Sequence, residues 1–466
     1  MTTSVFRPRC KAQLSITLDD RRVDNTDKDA AQRKARRSVL VEVTPKSANV
    51  SLNGYHEGAT WNMEFDARSL PFDPDQVTSV AAWIYMWDSG GDDTVEWATP
   101  DKLMLEGITD DADGVLIGDS NMVKLVGRDY TSVLDLEWNP KDNVEVGDAL
   151  DVVVQRIADK AAPVGTRARF TVKWEADEDP PRSGGLHRST KKKGLWIKQG
   201  KTYWEVIYDL VTQHGFIVYV RGRDIVVTDP KTQTAQSLAT APRLAYGVHL
   251  TRLRVKRKFA RERVPQVVLV AWDPDTGQEI QVEYPEKRNV IVDGLAVKKD
   301  ERMYFPAPKG IIDRDTLKRY ARMRFYHLGR GESTYDIETA MLSVEAGAPS
   351  NDQLATASAT VDLLRLRTGD PIGIKFDPFN REHLRKLTTE MRVAHLEALG
   401  YAPSIAEFVA ANVEQLTQYT QPYYSNKLKF DYDEDEGITI AVTAVNFASQ
   451  LREIHYADAS DAGRPQ

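Results

Sequence analysis

The residues best suited to nucleophilic, acid–base or metal chemistry here are eight histidines and one cysteine, and their spacing decides whether they can act. His56, His187, His214, His249, His327, His383, His395 and His455 are scattered. No two stand at the i, i+4 helical spacing of a zinc protease. Arg381-Glu382-His383 opens a helical stretch, but the next histidine, His395, comes about three helical turns later. Cys10 has no second cysteine for a structural zinc or a disulfide. Gly-x-Ser-x-Gly elbows and Walker phosphate loops are absent. Asp431, Asp433 and Asp435 have the spacing of calcium ligands, but Gly437 comes one residue late and no glutamate closes the loop. A solvated hairpin tip is the better reading. Carboxylate pairs are common in a chain that is 28% charged and cannot nominate a glycosidase. The sequence therefore offers no catalytic residue, no metal ligand set and no cofactor-binding residue.

One stretch stands out as a corner. In 123–136, Val123, Leu125 and Gly127 alternate with polar Lys124, as in a strand with one buried face. Gly127 lets the backbone turn or pass close to another segment. Asp129 and Thr131 are good helix N-caps, and Val133, Leu134 and Leu136 begin a short apolar helix. Gly127-Arg128-Asp129-Tyr130-Thr131 lacks the later glycines of a phosphate-binding fingerprint, so it reads as a structural corner closing one domain and opening the next.

Composition sets the bounds. With 466 residues the chain has room for about three domains. It is 41% hydrophobic and its net charge is −7, which makes it globular and argues against the whole chain being a nucleic-acid binder. No apolar run approaches the length of a membrane span, and the N-terminus lacks the apolar core of a signal peptide. These features point to synthesis in the cytoplasm.

The elements follow in order. Residues 19–37 are almost all charged or polar and read as a solvated loop or a segment ordered against a neighbour. Short period-two strands are expected at 38–43, through Val50 and Leu52, at Trp61, Met63 and Phe65, and at 80–87, 102–106 and 115–117, the spacing of a small β-barrel or sandwich up to about Gly127. The middle is mixed. Asp148 is expected to cap a helix carrying Leu150, Val153, Val154 and Ile157 on one face, and Thr202 with Glu205 forms a capping box before a second. Residues 177–193, with the lysine triplet 191–193, read as an exposed excursion, and 216–227 as a hairpin around Gly222. This helix–hairpin block slightly resembles a LysM glycan-binding module. From Gly247 strands return, with a row of cations at Arg252, Arg254 and Lys256 and a hairpin around 273–277. Asp313 caps a helix expected to end at Gly329, strands follow at 335–342 and 371–376, and two amphipathic helices occupy 380–416, the second capped by Ser404 and Glu407. A last hairpin spans 424–447.

In this order the elements resemble the tail hub proteins of tailed bacteriophages: a strand-rich first domain, the Gly127–Thr131 corner, a helix–hairpin middle, a helix before strands 335–342, and the Gly369-Asp370 turn before the next strand. The final hairpin, with Gly437 after acidic residues, is also similar. The resemblance implies a β-rich α+β fold with two small, tail-tube-like β-barrel domains separated by mixed α/β segments, and a helical C-terminal insertion. The expected divisions are 1–127 for the first barrel, 128–240 for the mixed middle, and 241–379 for the second barrel. Residues 380–421 would form the helical insertion, and 422–466 the hairpin completing the second barrel and a tail.

What the resemblance implies for function is a structural role without enzymatic activity. Such hubs are homotrimers in the virion's tail tip or baseplate, whose six barrels adapt a sixfold tail tube to a threefold tip. Their partners are the tail tube or distal tail protein, the tape-measure protein and tip or spike proteins, with DNA only in transit through the channel and no cofactor. The alternatives are a peptidoglycan- or glycan-degrading enzyme of the tail tip and a cell-wall glycan-binding module built on 196–227. The two barrels are expected to be alike in fold, with the charged rows at 19–37 and 250–257 at barrel contacts or along the channel.

Overall fold

The computed structural model describes residues 7–18, 37–54, 57–70, 77–90, 92, 94–109, 115–117, 121–139, 148–162, 169–183, 188–189, 192–193, 200–230, 241–246, 249–259, 263–273, 276–287, 290–292, 295–308, 311, 313–345, 360–375, 381–413 and 420–454. The charged segment 19–36, Lys191, His56, His187, His455 and the tail from 457 lie outside them.

The strand-rich start contains β1 (Pro8–Leu18), β2 (Arg37–Val43), β3 (Ser47–Leu52), β4 (Thr60–Asp66), β5 (Val77–Asp88), β6 (Leu103–Thr109), β7 (Val115–Ile117) and β8 (Met122–Asp129). Period-two patterning works as expected: in β4, Trp61, Met63 and Phe65 are buried and the residues between them face outward. The mixed middle holds α1 (Thr131–Leu134), α2 (Leu150–Ala161), β9 (Thr171–Trp174), the two-residue strands β10 (Arg188–Ser189) and β11 (Lys192–Lys193), α3 (Tyr203–Gln213), β12 (Ile217–Arg221) and β13 (Asp224–Thr228). Its core joins Leu134, Val154, Ile157, Ile207 and Leu210 to Val218 and Val227.

After β14 (Arg243–Ala245) and β15 (Arg252–Arg257) the chain leaves the main sheet. It builds β16 (Arg263–Trp272), β17 (Glu279–Tyr284), β18 (Ile291–Val292), β19 (Leu295–Pro306) and α4 (Arg314–Gly329). These four strands form a separate sheet ordered β17-β16-β19-β18, with α4 packed on it. The chain then returns through β20 (Ser333–Thr339), β21 (Ser343–Glu345), β22 (Thr360–Asp362) and β23 (Pro371–Lys375), and makes α5 (Arg381–Arg385), α6 (Thr389–Ala398) and α7 (Pro403–Asn412) with their own small core. It closes with β24 (Thr420–Asp433), β25 (Gly437–Val445) and α8 (Phe447–Ile454).

The two β-rich regions are parts of one fourteen-stranded sheet, because β24 pairs with β3 across the chain. They also share one apolar core, from Leu14 and Phe65 to Ile337 and Phe430. Within this sheet the fold repeats itself. The first region has the neighbour order β3-β4-β8-β6-β5 and the second β15-β20-β25-β24-β23, all antiparallel and in the same chain order. The registers coincide as well. Thr60, Trp61 and Asn62 face Arg128, Gly127 and Val126; Thr334, Tyr335 and Asp336 face Val445, Ala444 and Thr443. Both units turn into a helix directly after the last strand, and the Asp129 N–H reaches the Ala59 carbonyl as the Asn446 N–H reaches Ser333.

With the strands superposed this way, the sequence repeats too. Thr60-Trp61-Asn62-Met63-Glu64 matches Thr334-Tyr335-Asp336-Ile337-Glu338, and Asp129-Tyr130-Thr131-Ser132-Val133-Leu134 matches Asn446-Phe447-Ala448-Ser449-Gln450-Leu451. The long insertion 258–332 between β15 and β20, which carries β16–β19 and α4, hides the repeat from a reading along the chain.

Several expected helix ends differ. Asp129 does accept the Thr131 N–H (3.0 Å), but α1 is one turn long and Leu136 is exposed. Asp148 does not cap α2; Ala149 takes that position, and Asp148 pairs with Arg156 at 2.6 Å. Helix α7 starts with Pro403 after Ala402 rather than at Ser404, since proline needs no N–H in a first turn. Helix α4 does end at Gly329 as expected, with Arg330 as its C-cap; a Cβ on Gly329 would come within 2.6 Å of Leu295 and 2.7 Å of Val264, so the glycine also serves close packing. The Thr202–Glu205 capping box and the Asp313 cap form as expected.

Candidate functional site

The repeat lays down a ribbon of eight strands: β15-β20-β25-β24-β3-β4-β8-β7. Strand β7 continues the line of β6 along β8: Thr109 faces Gly127, and Val115 and Ile117 face Leu125 and Val123. Every pairing in the ribbon is antiparallel. One face packs on the shared core through Ile337, Ile440, Phe430, Val50, Met63 and Leu125. The other face is wet, as antiparallel sheets permit. On it Arg252 pairs with Glu338 at 3.1 Å and Lys256 with Asp336 at 3.6 Å. The Thr443 hydroxyl donates to Asp336 at 3.0 Å, and Lys429 pairs with Asp431 at 2.8 Å, which also accepts from Asn49. Asn62, Glu64 and Lys124 continue the polar surface. Among the described residues the ribbon ends in two unpaired edges, the outer sides of β7 and β15. An unpaired edge is a template for another strand.

The corner residues tie this sheet to the middle region. Arg223, on the β12–β13 turn, grips Glu106 with Nε (3.1 Å to Oε2) and Nη2, and its guanidinium lies 4.8 Å from the Tyr130 ring centre. The Tyr130 hydroxyl donates to Glu106 at 3.2 Å; burial and the Glu106 charge push its pKa up to about 12. In the second unit, Phe447 holds the place of Tyr130 and Arg330 lies 5.2 Å from its ring centre.

The residues that could do chemistry are placed apart. His214 is buried with Nδ1 2.7 Å from the Leu210 carbonyl, His249 accepts the Ala245 N–H, and His327 lies 3.3 Å from Glu332. His383 and His395 do meet, with ring centres 4.9 Å apart, although the sequence separates them by three turns. Among the described residues no group of three or more His, Cys, Asp or Glu is arranged to hold a metal. Cys10 is fully enclosed, and burial pushes its thiol up, away from the reactive thiolate. The acidic 431–436 tip is a tight hairpin in which Asp433 accepts the Asp435 and Glu436 N–H groups.

A cleft of about 990 Å³ opens between the middle region and the β16–β19 sheet. Several of its charges are engaged with one another: Arg319 reaches Asp229 at 3.1 Å and also Glu178, and Lys318 reaches Glu286 at 2.9 Å. Arg319 also lies over the Phe216 ring at 4.3 Å. This is a charged seam joining α4 to the middle region. Among the described residues the ribbon edges have unmet bonding capacity, as do other sheet ends such as β2, and no single motif announces them; the signal in sequence was the repeated Thr-aromatic-Asn/Asp-aliphatic-Glu strand.

No protein-family model and no curated protein matches the sequence. Among solved structures, a tail protein from Neisseria meningitidis MC58 is similar over 95% of this chain and 99% of that one, at 10% identity and a TM-score of 0.48. The 43 kDa tail protein of prophage MuSo2 from Shewanella oneidensis is similar over 94% and 99%, at 11% identity and a TM-score of 0.45. A component of the E. coli type VI secretion system, described as similar to bacteriophage T4 tail proteins, is similar over 88% and 75%, at 9% identity and a TM-score of 0.40.

Proposed function

We propose that the chain is a structural hub of a bacteriophage tail tip or baseplate, acting as a homotrimer without enzymatic activity of its own. Three copies, each with two like β units, would present six similar units to a sixfold tube and a threefold surface to a tip or spike. The channel between them would pass the tape-measure protein and DNA.

The observation that supports this reading is the eight-stranded ribbon with two like halves, one wet face and two unpaired edges. A ribbon of about eight strands closed on itself would fill with side chains, whereas about 16 or more strands leave an aqueous bore. The outward face of this ribbon is charged and hydroxyl-bearing, so it suits the wall of such a bore and not a packed barrel interior. Edges that pair with the next copy are covered without aggregation when the rotation closes a ring. The cation row on β15 then falls at a contact between units and beside the channel.

Light scattering on the purified protein is expected to give the mass of three chains, and negative-stain images a threefold ring with a central hole. A stable monomer at high concentration would overturn the reading.

A further inference from the structure

We propose that the seam between neighbouring copies is an antiparallel pairing of β7 of one copy with β15 of the next, in the register of the β24–β3 seam within the chain. The inference rests on the ring-forming hub reading and names the surface that makes the ring.

The argument runs through the repeat. The β24–β3 seam joins the second unit to the first, with Leu428, Lys429 and Phe430 opposite Leu52, Ser51 and Val50. Each of its strands has a counterpart in the other unit. Strand β15 stands to β20 as β3 stands to β4: Arg254, Val255 and Lys256 face Asp336, Tyr335 and Thr334, as Asn49, Val50 and Ser51 face Asn62, Trp61 and Thr60. Strand β7 stands to β8 as the second half of β24 stands to β25: Val115, Leu116 and Ile117 face Leu125, Lys124 and Val123, as Leu428, Lys429 and Phe430 face Val442, Ala441 and Ile440.

In the chain, β24 and β3 each have two neighbours here, while among the described residues β7 and β15 each have one. The chain therefore carries one complete seam and the two separated halves of a second. Transferring the register puts Val115 opposite Arg257, Leu116 opposite Lys256 and Ile117 opposite Val255 of the next copy.

Burial points to the same occupant. Val50 is 0% exposed beneath Phe430, whereas its counterpart Val255 is 42% exposed. A strand laid on β15 as β24 lies on β3 would cover it. Pairing β15 with another β15 would be isologous and stop at two copies, while β7 on β15 is head-to-tail and can close a ring. The lysine and arginines on β15 oppose indiscriminate pairing of this edge, which cationic edge strands resist.

The test is cysteine cross-linking in the full chain, with Cys10 left in place because it is buried. Leu116→Cys with Lys256→Cys should give a chain-to-chain disulfide under mild oxidation, forming a ladder that closes at three. Leu116→Cys with Arg254→Cys, two residues out of register, should link at least tenfold less. Ser51→Cys with Lys429→Cys should link within the chain and reports that the sheet is folded. Val255→Asp, at an exposed position, should shift the mass from trimer to monomer with an unchanged circular dichroism spectrum. A trimer whose 116/256 pair links no better than the shifted pair overturns the seam and leaves the hub reading standing. A ladder closing at another number supports the seam and overturns the threefold hub. A monomer with no chain-to-chain link overturns both.

Discussion

Trp61 and Gly127 stand opposite each other on β4 and β8, and the indole fills the space that a side chain at Gly127 would need. A Cβ there would sit 2.5 Å from Trp61 Cζ2 and closer still to the Ile108 carbonyl oxygen. The indole is held along this same edge, since Nε1, bonded to Cε2, donates to the Arg128 carbonyl at 3.2 Å. The second unit solves the same packing differently: a smaller ring, Tyr335, faces Ala444. Overpacking a buried site costs about 1–3 kcal/mol. Gly127→Val should therefore lower stability by about 3 kcal/mol and Gly127→Ala by about 2 kcal/mol, in chemical denaturation. Trp61→Tyr combined with Gly127→Ala should recover part of that loss, with a coupling of about 1 kcal/mol. An unchanged melting temperature in Gly127→Val would show that the close approach does not matter.

Asp129 makes the same corner pH-dependent. It is 4% exposed, and burial raises its pKa from 3.8 to about 6 against the lowering effect of the Thr131 hydrogen bonds. A carboxyl held neutral in the fold stabilises it most below the unfolded pKa. That contribution is lost as pH rises from about 4 to about 6, and amounts to about 3 kcal/mol at 1.36 kcal/mol per unit. The second unit has Asn446 at this place, whose Oδ1 accepts the Ser449 and Ser333 N–H groups at 3.0 and 3.1 Å. Asp129→Asn should gain stability over the parent between pH 4 and 6 and keep the gain at pH 7. Equal stability differences at pH 4 and pH 7 would refute the buried titration.

Local patterns in the sequence carried the element types well, because period-two burial in β4 and the Thr202–Glu205 box are properties of neighbouring residues. The joining of the two β regions into one sheet was not legible. It depends on β24 meeting β3, whose partners Lys429 and Ser51 lie hundreds of residues apart. The strands at 267–272 and 279–284 were read correctly as a hairpin, yet they build a separate sheet; their own alternation says nothing about which sheet they join. The contact of His383 with His395 was missed for a similar reason, because a turn between α5 and α6 brings the rings together and no helical period does.

The scattered histidines and the enclosed Cys10 lead to a negative expectation for chemistry. Purified protein should not clear peptidoglycan from several host types in zymograms. Clearing that disappears on a single Asp or Glu substitution would overturn this.

Arg223 is the most informative side chain linking the middle region to the sheet. Its fork holds Glu106, 14% exposed in its side chain, and its face covers Tyr130, so one residue supplies both an ion pair and a cation–π contact. Arg223→Ala leaves Glu106 in a half-buried place without its guanidinium. Removing a fully buried partner costs about 3–5 kcal/mol, and the 38% exposure of Arg223 brings the expected loss down to about 1–2 kcal/mol. Arg223→Lys keeps the charge but loses the two-pronged contact, and should fall between parent and alanine. Arg330, the counterpart in the second unit, contacts the ring faces of Tyr326 at 4.9 Å and Phe447 at 5.2 Å. Arg330→Ala should cost less, about 0.5–1 kcal/mol. Differential scanning calorimetry of the three variants checks the order, and an Arg223→Ala loss no greater than that of Arg330→Ala would show that the Glu106 pairing adds nothing to the corner.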